Sequence, residues 1–80
     1  MTTNILTDRI NIDADVMTGK PTIKGTRITV QHILKLLATG MTQQEILQEY
    51  PLLKKEDIFA CLLFATEALD HSAFFPSHSR

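Results

Sequence analysis

Apolar residues recur at helical spacing from residue 30 onwards. Thr29 is a favourable N-cap, and Gly40 can adopt the left-handed conformation with which many helices end. Between them the pattern predicts a first helix over residues 30–39. Residues at spacings of three and four define its buried face: Val30, Ile33, Leu34 and Leu37.

A second helix has the clearest start signal in the sequence. Thr42 and Glu45 have the spacing of a capping box, and Met41 and Ile46 are placed to form a hydrophobic staple. Pro51 ends the helix because it lacks an amide hydrogen. The predicted inner face consists of Ile46, Leu47 and Tyr50.

A third helix is predicted over residues 55–71. Its first turn contains Glu56 and Asp57, where the helix dipole favours negative charge. Residues 58–65 form an unbroken apolar run, so this part of the helix is apolar on all sides. Two short helices can cover only part of that surface, and we expect the rest to contact another protein chain. The partner-binding residues expected on this helix are Phe59 and Leu63.

The N-terminal part of the chain has the pattern of short strands. Residues 9–13 alternate between polar and apolar side chains, and residues 22–28 are the expected second strand. Because an isolated two-stranded ribbon is marginally stable in water, we expect two chains to pair their ribbons into one shared sheet, as a homodimer. The apolar residues that this pairing would bury are Ile10, Ile12, Ile23 and Ile28.

These elements define a mainly α fold class. The expected architecture is a three-helix, homeodomain-like helix-turn-helix bundle with a short N-terminal β-ribbon arm shared across a dimer. We expect residues 1–29 to form the arm, which carries dimerisation and a basic turn, residues 30–71 to form the bundle, and residues 72–80 to form a C-terminal tail.

Composition bounds the class of protein further. With 80 residues, of which 44% are hydrophobic, the chain has the size and composition of one small globular domain. A secretion signal or an apolar run of about 18 residues, as needed to span a bilayer, is not evident in the sequence. The single cysteine suits a reducing compartment, so we expect a cytoplasmic protein that does not contact a membrane.

Residues 19–28 combine glycine, proline and cations, a pattern that invites comparison with a phosphate-binding P-loop. The spacing excludes this motif, because Ala14 and Pro21 occupy positions that require glycine and serine or threonine. We expect instead a turn whose cations either contact nucleic-acid phosphate or, through an Arg27–Asp13 ion pair and edge-strand protection, serve structure alone. The three cations are Lys20, Lys24 and Arg27.

The starts of the second and third helices supply the remaining candidates for DNA contact. In a helix-turn-helix fold, the start of the later helix enters the major groove. Lys54 and Lys55 are suited to phosphate, while Gln43 and Gln44 are suited to adenine edges or are simply solvated. The formal net charge is −1, with one excess positive charge over residues 1–29. DNA binding should therefore be modest and require a dimer to gather enough cations.

The sequence indicates no catalytic machinery. Cys61 lies among apolar residues, which favours a buried, inert thiol. The histidines lack the spacing of a metal site, and the carboxylates are explained by helix starts and exposed faces. We expect neither an enzyme nor a bound metal or cofactor. The histidines are His32, His71 and His78.

The C-terminal tail contains two adjacent aromatic residues, Phe74 and Phe75, in an otherwise polar segment. Such residues either fold back onto their own domain or act as an anchor in the groove of a partner. The sequence leaves both alternatives open.

Several short motifs together resemble the bacterial domain-of-unknown-function 433 family over residues 9–69. The third helix departs from the family pattern, because Lys54 and Lys55 stand where relatives often carry a capping threonine or serine. The motifs are Gly19-Lys20-Pro21, Ile23, Gly25-Thr26-Arg27-Ile28, Val30-Gln31-His32-Ile33-Leu34, Gly40, Glu45-Ile46, Tyr50-Pro51 and Glu56-Asp57-Ile58.

That resemblance implies a VapB-like antitoxin, a small helix-turn-helix protein often encoded beside a PIN-like nuclease toxin. Antitoxins of this type commonly occupy the toxin with a C-terminal segment. The leading hypothesis is therefore an antitoxin that neutralises a nuclease by direct binding and also represses its own promoter. The alternative is a dimeric protein–protein adaptor with a helix-turn-helix fold and no affinity for DNA, which the lack of basic excess favours.

Overall fold

The structure is a computed structural model that describes residues 8–13 and 19–70. Within these ranges the chain forms two very short strands followed by three helices. In chain order they are β1 (Ile10–Asn11), β2 (Thr22–Ile23), α1 (Val30–Ala38), α2 (Gln43–Glu49) and α3 (Lys55–Asp70).

Strands β1 and β2 pair antiparallel within one chain, with Ile10 opposite Ile23 and Asn11 opposite Thr22. The predicted second strand over residues 22–28 is wrong in its C-terminal part. There the chain turns back on itself, because Gly25 adopts a φ of 79° and the Thr26 amide donates to the carbonyl oxygen of Ile23 at 3.0 Å. Within the turn these backbone groups form hydrogen bonds in the same chain, whereas in a longer edge strand they would need a neighbouring strand.

The ribbon contributes to the core of its own chain. Ile10 and Ile23 are 8% and 2% exposed within one chain, so the expectation that their burial requires pairing with a second ribbon is wrong. Ile12, in contrast, remains largely exposed. The ribbon is therefore stabilised within one chain and does not need a shared sheet. The division of the chain into arm, bundle and tail stays a prediction.

The ends of α1 and α2 follow the local sequence signals. The Thr29 hydroxyl oxygen accepts from the His32 amide at 3.0 Å, which confirms the N-cap of α1. At α2, the Thr42 amide donates to Glu45 Oε1 at 2.8 Å and the Glu45 amide donates to Thr42 Oγ1 at 3.1 Å. Gly40, with a φ of 99°, follows α1 as predicted.

Helix α3 is the longest element and packs against both α1 and α2. Its inner face is buried at Ile58, Ala60 and Cys61. The hydrophobic core therefore draws on the ribbon, all three helices and the segment that precedes α3. Its buried members are Ile10, Ile23, Val30, Ile33, Ile46, Leu53, Ile58, Ala60 and Cys61.

One carboxylate connects the ribbon to the start of α3. Asp57 Oδ1 accepts from Arg9 Nη1 at 3.0 Å, and Asp57 Oδ2 accepts from the Lys54 amide at 2.8 Å. Asp57 is only 7% exposed, so the expectation that the carboxylates lie at helix starts and exposed faces is incomplete for this residue. Asp57 thereby supplies one half of a capping box, while Lys54 has no side-chain oxygen to supply the other half.

Replacing Asp57 by alanine should destabilise the fold strongly. The substitution removes the cap on the Lys54 amide and leaves the Arg9 guanidinium without its carboxylate, so we expect the free energy of unfolding to fall by about 2–4 kcal/mol. Urea denaturation monitored by circular dichroism measures this loss.

The matched control is Glu56→Ala, which removes an exposed carboxylate from the same helical turn and should change the free energy by less than about 1 kcal/mol. The double variant with Arg9→Met should lose clearly less than the two single losses added together. Equal effects of the Asp57 and Glu56 substitutions would contradict the assigned role.

Candidate nucleic-acid and partner interfaces

The structure brings part of the predicted DNA-binding set into one open groove at the starts of α2 and α3. Gln43, Gln44 and Lys55 line this groove together with Leu47 and Gln48. The capping box fixes the first turn of α2, and the Asp57 carboxylate fixes the first turn of α3. The polar side chains therefore project from two rigid helix starts.

Lys54 is exposed and precedes Lys55 at the boundary of α3. Its backbone amide is bound by Asp57, while its ammonium group is free to extend into solvent. The two lysines thus present positive charge next to the glutamines of α2. Gln48 was not among the predicted residues, although its spacing of four from Gln44 places both on one face of α2.

The three cations of the ribbon region are exposed, but they do not line one site. Lys20 borders a depression with His32 and Lys35, whereas Arg27 borders a separate depression with Asn11 and the turn. Lys24 is exposed within the turn itself. The structure therefore divides the predicted cluster and adds Lys35, which the sequence did not indicate.

An aromatic contact connects α1 to the end of α2. His32 Nε2 lies 2.9 Å from the Tyr50 hydroxyl group, and the two rings meet edge to face with centroids 6.0 Å apart. This pair accounts for His32 as a structural residue. A metal-binding cluster of three or more His, Cys, Asp or Glu side chains does not occur within residues 8–13 and 19–70.

Helix α3 presents apolar side chains to solvent, as expected from its unbroken apolar run. Phe59 is 42% exposed and Leu63 is half-buried, so both predicted partner-binding residues lie on the accessible side of the helix. Leu62 and Leu69 are also exposed and were not predicted. The spacing of three from Phe59 to Leu62 was the available signal.

An apolar groove runs beside the C-terminal half of α3. Pro21 and Leu34 line it from the ribbon and α1, while Ala65, Ala68 and Leu69 line it from α3. Alanine side chains leave space between the larger residues on either side. Phe74 and Phe75 follow α3 in the sequence, but they lie outside the described residues, as do His71 and His78.

The Cys61 thiol is held in its protonated form. Burial, and secondarily the negative charge of Asp57, raise the pKa of Cys61 to about 12. The side chain is fully buried, in agreement with the predicted inert thiol.

Within residues 8–13 and 19–70, no helix combines the length and hydrophobicity needed to cross a lipid bilayer.

The described fold is that of a small, mainly helical domain with a two-stranded antiparallel ribbon. Residues 10–65 match the family described as "Protein of unknown function (DUF433)". The chain belongs to this family.

A solved structure supports the family assignment. The crystal structure of a DUF433 member protein from Anabaena variabilis superimposes with a TM-score of 0.76 at 28% sequence identity. The match covers 86% of this chain and 68% of that one. A comparison with curated proteins gave no match.

The state of the Cys61 thiol can be tested by its reactivity. Because its raised pKa leaves very little thiolate at pH 8, a maleimide or iodoacetamide should label the native protein at least about 100-fold more slowly than the urea-unfolded protein. A Leu52→Cys variant supplies the control, since Leu52 is 82% exposed. Its added thiol should react as fast as a free cysteine, and equal rates at both positions would contradict the buried assignment.

Proposed function

We propose that this protein is the antitoxin of a type II toxin–antitoxin pair. It neutralises a PIN-like nuclease by direct binding, and as a homodimer it represses its own promoter. In this role it acts as a binding protein and not as an enzyme. The observation that carries the proposal is that one small chain presents two surfaces of different character: a groove lined by three glutamines and Lys55 at the helix starts, and an apolar face on α3.

The groove supports a role in DNA binding. If the helices act as a homeodomain-like helix-turn-helix, α2 and α3 form the pair and the start of α3 approaches the major groove. Lys54 and Lys55 then contact phosphates, while Gln43 and Gln44 are the candidates for contact with base edges. The ribbon cations Lys20, Lys24 and Arg27 add phosphate contacts at a second location.

The apolar side chains support a role in protein binding. Phe59 and Leu63 on α3 provide the predicted contact with another chain, and Phe74 and Phe75 of the tail are the proposed anchors in the nuclease. Family resemblance suggests this use of a C-terminal segment. A protein of this size that exposes several large apolar residues on one helix has the character of an interaction module.

The alternative function is that of a dimeric protein–protein adaptor without DNA affinity. It is favoured by the charge distribution, because the ribbon cations are divided between separate depressions and the chain carries a net charge of −1. DNA binding distinguishes the two proposals, because only the antitoxin is expected to bind promoter DNA.

Binding to promoter DNA should depend strongly on salt and on the lysines at the start of α3. The double variant Lys54→Ala, Lys55→Ala should weaken binding to all sequences and reduce the slope of log K against log salt by about 0.9 for each phosphate that is no longer neutralised. Gln44→Ala should instead weaken only the native promoter, by about 1–3 kcal/mol. Fluorescence anisotropy titrations at several salt concentrations measure both effects.

Two controls accompany these variants. Lys54→Arg with Lys55→Arg keeps the charge and should retain affinity. Gln31→Ala removes an exposed glutamine of α1 that lies outside the groove at the starts of α2 and α3. Absence of binding at low salt, with and without a co-expressed partner, would reject the DNA-binding proposal and leave the adaptor.

Neutralisation of the nuclease should depend on the tail. Deleting residues 72–80, or replacing Phe74 and Phe75 by alanine, should abolish rescue of cells that express the neighbouring nuclease, because aromatic anchors typically contribute about 2 kcal/mol or more each. Growth assays and pull-down of the nuclease measure the loss. The purified variants should keep the thermal unfolding midpoint of the parent protein.

A double substitution of His78 and Ser79 by alanine in the same tail is the matched control and should leave rescue intact. A truncated protein that melts markedly lower but still neutralises the nuclease would assign Phe74 and Phe75 to the domain core. The nuclease-binding surface would then have to lie elsewhere.

A further inference from the structure

Helix α3 carries a strip of exposed apolar residues along one side. Phe59, Leu62 and Leu69 are 42%, 40% and 64% exposed. Their spacings of three and seven place them along one side of the helix, away from the buried Ala60 and Cys61. These are the spacings of residues that pack against another helix in a coiled coil.

The same helix contains both halves of a knob-into-hole contact. A hole is formed by four residues at positions i, i+3, i+4 and i+7 of the facing helix. On α3 such a set begins at Leu62, and its second member, Ala65, leaves space between the two leucines. Phe59, one turn towards the N-terminus, is a large knob. The hole consists of Leu62, Ala65, Thr66 and Leu69.

Thr66 fits this hole despite its hydroxyl group. Its Oγ1 donates to the Leu62 carbonyl oxygen at 3.1 Å, so the polar hydrogen is satisfied within α3 itself. A knob that covers Thr66 therefore leaves no unpaired donor behind. Ala65 and Leu69 also line the apolar groove between α1 and α3, so the hole is continuous with that groove.

The positions of knob and hole are self-complementary only in an antiparallel pairing. If two copies of α3 cross about a two-fold axis near Leu62 and Leu63, Phe59 of each copy lies opposite Thr66 of the other. The same register brings Lys55 of one copy beside Asp70 of the other, which are exposed residues of opposite charge. A parallel pairing would instead place like charges together at both ends.

We propose that the α3 helices of two copies pair antiparallel, with Phe59 of each copy seated in the hole formed by Leu62, Ala65, Thr66 and Leu69 of the other. This contact replaces the shared sheet expected from the sequence. The inference deepens the proposed function, because it supplies the dimer that DNA binding requires. In this dimer Lys55 lies at the contact between the two copies, so phosphate binding at the start of α3 rests on Lys54. The dimer can be tested on the protein alone.

Sedimentation velocity of the purified chain tests the location of the contact. The native protein should sediment with the mass of two chains at micromolar concentration, and Phe59→Asp should raise the dissociation constant by about 100-fold or more. Leu52→Asp is the matched control, because it places the same charge at an exposed leucine outside α3 and should leave the dimer intact. Circular dichroism checks that both variants are folded.

A cross-linking experiment tests the direction of pairing without removing Phe59. The double variant Lys55→Cys, Asp70→Cys should form a covalent dimer with a short bifunctional maleimide, whereas each single variant should not. Cys61 gives little background because it is buried and protonated.

Three outcomes would overturn the inference: a native protein that sediments as one chain, a Phe59→Asp variant that dimerises as tightly as the native protein, or cross-linking of the single cysteine variants. The first would leave the α3 face to a different partner, and the second would place the dimer contact on another surface, such as the ribbon. All measurements omit nuclease and DNA, so failure of the antitoxin proposal does not affect them.

Discussion

The arrangement of this domain depends on the carboxylate of Asp57. It accepts a hydrogen bond from the amide of Lys54, which directly precedes α3, and an ion-paired hydrogen bond from Arg9, which precedes the ribbon. One side chain thereby joins two parts of the chain that are 48 positions apart. A partly buried carboxylate is stable only with such partners, so the direction of α3 and the position of the ribbon are fixed together. The lysines that we assign to DNA contact project from the turn that this carboxylate holds.

The sequence predicted the helices better than the ribbon because the signals differ in range. Thr29, Thr42 and Glu45 cap helices through neighbours three residues away, so their pattern can be recognised in the sequence. The Arg9–Asp57 pair spans 48 positions, and no local spacing indicates it. The ribbon itself was predicted, but its second strand was predicted too long, because the sequence pattern does not reveal that the chain reverses at Gly25.

The same reasoning applies to the candidate surfaces. The exposure of Phe59 could be predicted because the apolar surface of residues 58–65 is larger than two short helices can cover. Gln43, Gln44 and Lys55 were predicted as DNA contacts from their positions at helix starts, but their common groove became visible only in the structure. The separation of Lys20 from Arg27 could not be foreseen, because it depends on the folded path of the chain, which brings Lys20 beside α1 and Arg27 beside Asn11.

Thr29 performs two tasks at the junction between the ribbon and α1. It pairs with Thr22 in an antiparallel bridge, and its hydroxyl group caps α1, while the next amide donates to the Pro21 carbonyl oxygen at 2.9 Å. The turn and the helix therefore share one hydrogen-bond network with no spare residue between them. Homologous proteins should therefore rarely carry insertions or deletions between residues 21 and 30. One added residue there would separate the bridge from the cap.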